Sequence, residues 1–134
     1  MILWDDSASY LKQTFIDFTR KIYHNENMDT AVQAELDKLK DLIINAIPVE
    51  QIYLFGSYAY GTPKKGSDFD LYVVLKDDLP MREFDASIEI MKVIGPVKTK
   101  SVDVIATKKS RYQKLVTGPT MERKIAREGI RIYG

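Results

Sequence analysis

The chain has 134 residues and a mass of 15.4 kDa, which is enough for one domain with a sizeable hydrophobic core. Its 20 lysines and arginines against 19 aspartates and glutamates give a net charge of +1, whereas proteins that bind nucleic-acid backbones usually show a clear basic excess. Because the chain has no cysteine, a disulfide framework, a thiolate zinc site and a cysteine nucleophile are all excluded.

The start of the chain does not resemble a targeting segment. Its first ten residues, MILWDDSASY, contain two acids and no basic run, unlike a secretory signal peptide. No apolar run approaches the roughly 18 residues that a membrane-spanning helix needs. We therefore expect a cytoplasmic protein.

Apolar residues at helical spacing predict two helices at the N-terminal end. The first stripe can be capped by Asp6 or Ser7 and consists of Leu11, Phe15, Phe18 and Ile22. The second can be capped by Asp29 or Thr30, stops before Pro48, and consists of Val32, Leu36, Leu39, Ile43 and Ile47.

The period then changes, and short continuous apolar runs predict strands. QIYLF, which ends at Gly56, is typical of a strand buried on both faces. A loop punctuated by glycine and proline follows, and FDLYVVL is the second strand. A helix is predicted from Pro80 to Ile94, with Phe84, Ile88 and Met91 on one side.

The remaining sequence predicts a third strand, SVDVIA, a helical tail in two pieces that ends at Gly129, and a last edge strand, IRIY. The order of elements is thus α-α-β-loop-β-α-β-α-β. It predicts a single-domain α/β (α+β) fold, in which a mixed β-sheet is flanked by helices.

Two aspartates at the start of the second strand carry the chemistry. Asp68 and Asp70 are two residues apart, so in a strand both carboxylates point to the same face. At about 5 Å and an effective dielectric near 20, their repulsion is on the order of 3 kcal/mol. A hard divalent cation such as Mg²⁺ would cancel that repulsion. We therefore expect a metal site at these residues.

The turn before this strand has the character of a phosphate site. Gly56 lets the backbone approach a ligand, the Ser57 hydroxyl adds a donor, and Tyr58 to Tyr60 can form the first turn of a helix, whose amides attract anions. Lys64 and Lys65 in the following loop can neutralise phosphate, although a lysine pair at a loop tip is more often simply solvated; of the two, Lys65 is the candidate nucleotide-binding residue.

Asp103 is the third candidate, because it is an acid inside the otherwise apolar run SVDVIA. Buried carboxylates are rare unless they are paired or bound to metal. If its strand neighbours FDLYVVL, Asp103 completes a three-carboxylate site, which suits the two-metal arrangement of nucleotidyl transfer. Asp103 would then be a metal ligand and a base for the attacking hydroxyl.

Each motif alone is common: Gly-Ser in turns and Asp-x-Asp at solvated loop ends. Together, in the spacing GS-x(10)-D-x-D between two strand-like runs, they would arise by chance in on the order of one chain in a thousand. The stretch GSYAYGTPKKGSDFDLYVV resembles the signature of the DNA polymerase β-like nucleotidyltransferase superfamily. Within it, the chain resembles the minimal nucleotidyltransferases (MNT) of HEPN–MNT toxin–antitoxin pairs, on residues Gly56, Ser57, Asp68 and Asp70.

The resemblance implies Mg²⁺-dependent (or Mn²⁺-dependent) transfer of a nucleoside monophosphate, often AMP from ATP, to an acceptor hydroxyl. It also implies a HEPN-type toxin as partner, with one of its tyrosines as acceptor. Within a single domain over 1–134, we expect an N-terminal helical part over 1–47, a catalytic core over 50–108, and C-terminal helices with the edge strand over 109–134.

Three functions stay open on the sequence. The chain could be an antitoxin-type enzyme that adenylylates its partner, a stand-alone transferase that modifies a small molecule, or a non-catalytic module that binds nucleotide or blocks a partner. A nucleic-acid polymerase is the least favoured, because the net charge is close to zero.

Overall fold

The computed structural model describes residues 29–64 and 66–134. The predicted first helix, with its stripe from Leu11 to Ile22, lies outside the described residues, and so does Lys65. Within the two described ranges, no helix is long and apolar enough to cross a membrane.

The first described helix, α1, spans Thr30–Ala46. Its N-cap is Asp29, whose carboxylate accepts a hydrogen bond from the backbone N–H of Ala31 at 2.8 Å. This bond satisfies one of the free amides with which every helix begins. The predicted second helix and its cap are thereby confirmed, and the face turned to the core consists of Leu36, Leu39 and Ile43.

Four strands of the described chain form one mixed sheet: β1 (Val49–Phe55), β2 (Phe69–Leu75), β3 (Val102–Lys108) and β4 (Ile130–Tyr133). Their order across the sheet is β3-β2-β1-β4. β1 is antiparallel to both β2 and β4, whereas β2 and β3 are parallel. The predicted fold class is confirmed, including the final edge strand.

The helix α2 (Glu83–Ile94) connects the two parallel strands. The apolar side predicted for this helix is not the side that faces the core. Phe84, 71% exposed, lies with Ile88 and Met91 on the solvent side. The buried side consists of Ala86, Ile90 and Ile94. This second stripe runs the whole length of the helix at a spacing of four residues, and its small alanine allows close packing, so it is the one that faces the core.

Alternating side chains build a core on each face of the sheet. The larger core lies under α1 and α2, and the smaller one lies under α3 (Lys109–Val116) and α4 (Met121–Glu128). The smaller core consists of Tyr53, Tyr72, Val74, Tyr112 and Ile125. Since Asp70 alternates in phase with Tyr72, its carboxylate is on the face of the smaller core.

Candidate active site

The strands β2 and β3 bring Asp70 and Asp103 side by side, because the two residues are register partners in the parallel pair. Burial raises the pKa of the Asp70 carboxyl, and the charge of Asp103 and a hydrogen bond with its side chain raise it further. The smallest upward effect on this pKa comes from the charge of Asp68. The Asp70 carboxyl therefore holds a proton more readily than an isolated aspartate does.

Asp103 is exposed, so the prediction of a buried carboxylate is wrong. The physical reason is that β3 is an edge strand and Asp103 is only the second residue of that strand. The apolar neighbours Val102 and Ala106 face the larger core instead. What places Asp103 in the site is the strand register and not its burial.

Asp68 lies one residue before β2 and is exposed. The prediction that Asp68 and Asp70 both belong to the strand is therefore wrong for Asp68. Its charge still acts on Asp70. In the described part of the chain, no three acidic or histidine side chains converge closely enough to form a ready metal cage. The expected three-carboxylate cluster is thus a close pair, Asp70 and Asp103, with Asp68 beside it.

The Asp70 carboxylate packs directly against the backbone of Gly56, in the space that a side chain at position 56 would fill. A Cβ added to Gly56 would be 3.1 Å from Asp70 Cγ and closer still to Oδ2. The glycine also has a φ of 73°, a conformation that other residues rarely adopt. Gly56 therefore lets the turn after β1 approach the acidic pair.

The residues after Gly56 form a hydrogen-bonded turn. The backbone N–H groups of Ala59 and Tyr60 both donate to the Gly56 carbonyl at 3.1 Å, and Thr62 N–H donates to the Ser57 carbonyl at 2.9 Å. The predicted turn at Tyr58 to Tyr60 forms, but it does not continue into a helix as expected. Glycine and proline at positions 61 and 63 explain why it stops.

An aromatic contact that the sequence reading missed connects this turn to β2. The rings of Tyr58 and Phe69 are 4.9 Å apart between centroids. Phe69 is fully buried and stands between the two aspartates of the motif. The contact therefore fixes the turn relative to both acids. The aromatic residue between the two aspartates of the Asp-x-Asp motif is the feature of the sequence from which this contact could have been predicted.

Comparison with known proteins identifies the fold. The family model for polymerase beta nucleotidyltransferases matches residues 37–134. The chain belongs to this nucleotidyltransferase family. The superfamily that the motif resembled is thereby confirmed, and family membership implies a nucleoside triphosphate substrate and a divalent metal in general terms.

Solved structures with a similar fold include a toxin–antitoxin with AMP-PNP, at 25% identity over 73% of this chain and 72% of that one, with a TM-score of 0.44. A variant of the toxin–antitoxin MntA-HpeT is similar at 22% identity over 73% and 71% of the chains, with a TM-score of 0.47. Comparison with curated proteins gives no match.

The donor set of this nucleotidyltransferase fits a hard divalent cation. Asp70 and Asp103 supply carboxylate oxygens from adjacent strands, and Asp68 is near enough to affect Asp70. Mg²⁺ is usually held by one or two carboxylates together with substrate phosphates and water, so it does not require a closed protein cage. The same cation would displace the proton that the raised pKa of Asp70 favours.

Proposed function

We propose that this protein is a Mg²⁺-dependent nucleotidyltransferase that moves AMP from ATP to a hydroxyl group. The observation that carries the proposal is the Asp70–Asp103 pair packed against the Gly56 turn. A cation site and a phosphate-binding turn in direct contact are what transfer from a triphosphate requires. When bound, the metal would neutralise charge on the triphosphate.

Each site residue has a proposed role. The backbone at Gly56 and the hydroxyl of Ser57 bind the triphosphate and hold its α-phosphorus in front of the acids. Asp68 and Asp70 are metal ligands. Asp103 is a ligand and accepts the proton of the acceptor hydroxyl. Lys65 is a further nucleotide-binding residue, proposed from its place in the sequence alone.

The transfer is a balanced in-line displacement. The acceptor oxygen forms a bond to the α-phosphorus, the bond from that phosphorus to the oxygen bridging to the β-phosphorus breaks, and pyrophosphate leaves. The acceptor proton passes to Asp103 or to solvent. The site is open to acceptors because Asp103 and Asp68 are both exposed.

The proposed acceptor is a tyrosine of a HEPN-type toxin, so that the protein acts as the antitoxin of a pair. This partner follows from the resemblance of the GS-x(10)-D-x-D motif to minimal nucleotidyltransferases. The cytoplasm, where ATP is made and used, is the location that the proposal implies. We also retain the single domain over 1–134, with its catalytic core at 50–108, as part of the proposal.

The test is transfer to the protein encoded beside this one. Incubation with ATP and Mg²⁺ should add AMP to that partner, visible in intact-mass spectra. Asp70→Asn and Asp103→Asn should each remove the mass increments, while Asp78→Asn, an exposed acid beyond the other end of β2, should keep them. Neutralisation of the partner by a variant that lacks both acids would instead favour a non-catalytic blocking module.

A further inference from the structure

The helix α4 brings a lysine to the rim of the proposed nucleotide turn. The Lys124 ammonium lies 4.9 Å from the centroid of the Tyr60 ring. Tyr60 belongs to the turn itself, because its backbone N–H donates to the Gly56 carbonyl. The contact with Tyr60 therefore holds the Lys124 ammonium against a side chain of the same turn that contains Ser57.

The buried side of α4, which carries Glu122 and Ile125, fixes the orientation of the helix. Ile125 is buried in the smaller core, and Glu122 accepts a hydrogen bond from the Tyr72 hydroxyl at 3.0 Å. Tyr72 is two residues after Asp70 on the same face of the sheet. The helix thus packs on the face of the sheet that carries Asp70, and the contact with Tyr60 places Lys124 on the side of the helix next to the turn.

Lys124 is a cation without a carboxylate partner. Within residues 29–64 and 66–134, no acidic side chain is within salt-bridge distance of its ammonium. The one described contact of the ammonium group is the ring face of Tyr60, which attracts a cation only weakly at an exposed position. A phosphate oxygen offers a charged hydrogen bond, which is stronger, so the ammonium would exchange the ring for a triphosphate.

We propose that Lys124 is a nucleotide-binding residue that contacts the β- or γ-phosphate, and that Tyr60 positions its ammonium beside the turn. The assignment rests on the proposed function, since it needs a triphosphate bound at Gly56 and Ser57. It extends the site from the acidic strands and the glycine turn to a third element, the C-terminal helix α4.

Calorimetric titration with α,β-methylene-ATP and, separately, with AMP tests the contact, both in the presence of Mg²⁺. Lys124→Gln should weaken binding of the ATP analogue by about fivefold to tenfold and of AMP by less than about twofold, because AMP lacks the outer phosphates. Lys124→Arg should restore most of the affinity. Lys92→Gln, the same charge change on α2 across the sheet, should leave both affinities unchanged.

A thermal melt distinguishes a ligand contact from a structural one. Lys124→Gln should melt within about 2 °C of the wild type, since an exposed cation–π contact adds little stability. The assignment of Lys124 would be overturned if Lys124→Gln bound the ATP analogue as tightly as the wild type. It would also be overturned if the variant lost equal affinity for the analogue and for AMP. Neither result would affect the proposed function. Failure of the wild type to bind the analogue would overturn the proposed function with it.

Discussion

Gly56 and Asp70 are in contact across the β1–β2 pair. The Asp70 carboxylate occupies the space that a side chain at position 56 would need. The pairing of Phe55 with Asp70 at the end of the antiparallel ladder sets this approach. The turn proposed to bind phosphate and the acid proposed to bind metal are thereby placed against each other by one strand pair.

Replacing Gly56 by alanine should therefore damage the site. The new Cβ would displace the Asp70 carboxylate, and the backbone would have to keep a φ of 73°. We expect AMP transfer to fall by more than about tenfold, as the loss of one positioning contact at a reacting centre can cost far more.

Gly61→Ala is the matched control for that substitution. Gly61 has a nearly identical φ of 75°, but an added Cβ would meet nothing within 4 Å. Both variants should lose about 1–2 kcal/mol of stability from backbone strain. Only the Gly56 variant should lose transfer; equal activity losses would show that strain, and not the contact with Asp70, is responsible.

Asp70→Asn should stabilise the metal-free protein at neutral pH. The raised pKa of Asp70 means that the native chain holds more protons than the unfolded chain between the ordinary aspartate pKa and the raised one. Unfolding free energy therefore falls as pH rises through that window, and the amide removes this loss.

Differential scanning calorimetry in EDTA measures the effect. At pH 7.5 the variant should melt about 1–4 °C above the wild type, a small gain because the carboxylate is partly exposed and its repulsion is screened. The difference should shrink as pH is lowered through the window. A melting point several degrees below that of the wild type would assign Asp70 a structural role.

The buried hydrogen bonds of the Tyr72 hydroxyl beside α4 stabilise the fold and take no part in the proposed reaction. Tyr72 hydroxyl is 2.8 Å from Thr107 Oγ1 and 3.0 Å from Glu122 Oε2, and all three side chains are buried. Tyr72→Phe leaves the buried Glu122 without this donor, which should cost about 1–3 kcal/mol of unfolding free energy in urea titrations. Tyr53→Phe loses a 3.3 Å hydrogen bond to Gln51 and an interaction with Tyr112, but it leaves no buried carboxylate without a donor, so it should cost less. Equal costs would contradict the importance of the buried network.

Local patterns predicted much of this fold. Asp29 before an apolar stripe gave the start of α1, and FDLYVVL coincides with β2, because helix caps and buried strands are encoded within a few residues. The acids and the glycine turn were found in the same way, as a motif of fixed spacing.

Properties that depend on distant parts of the chain could not be predicted. The exposure of Asp103 depends on β3 being an edge strand, which no local run of residues reveals. The sequence of α2 carries two apolar stripes, and only packing decides that Ile90 is buried and Phe84 exposed. Likewise, the contact between Lys124 and Tyr60 joins residues far apart in the sequence.

The most direct measurement of the central claim is Mn²⁺ binding followed by electron paramagnetic resonance, with and without α,β-methylene-ATP. The account predicts that the wild type binds Mn²⁺ and that the nucleotide tightens this binding, because its phosphates complete the ligand set. Asp70→Asn with Asp103→Asn should weaken binding in both conditions by more than about tenfold, while Asp78→Asn should not change it. Wild-type Mn²⁺ affinity in the double variant, in the presence of the nucleotide, would contradict the assignment of the metal site to this acidic pair.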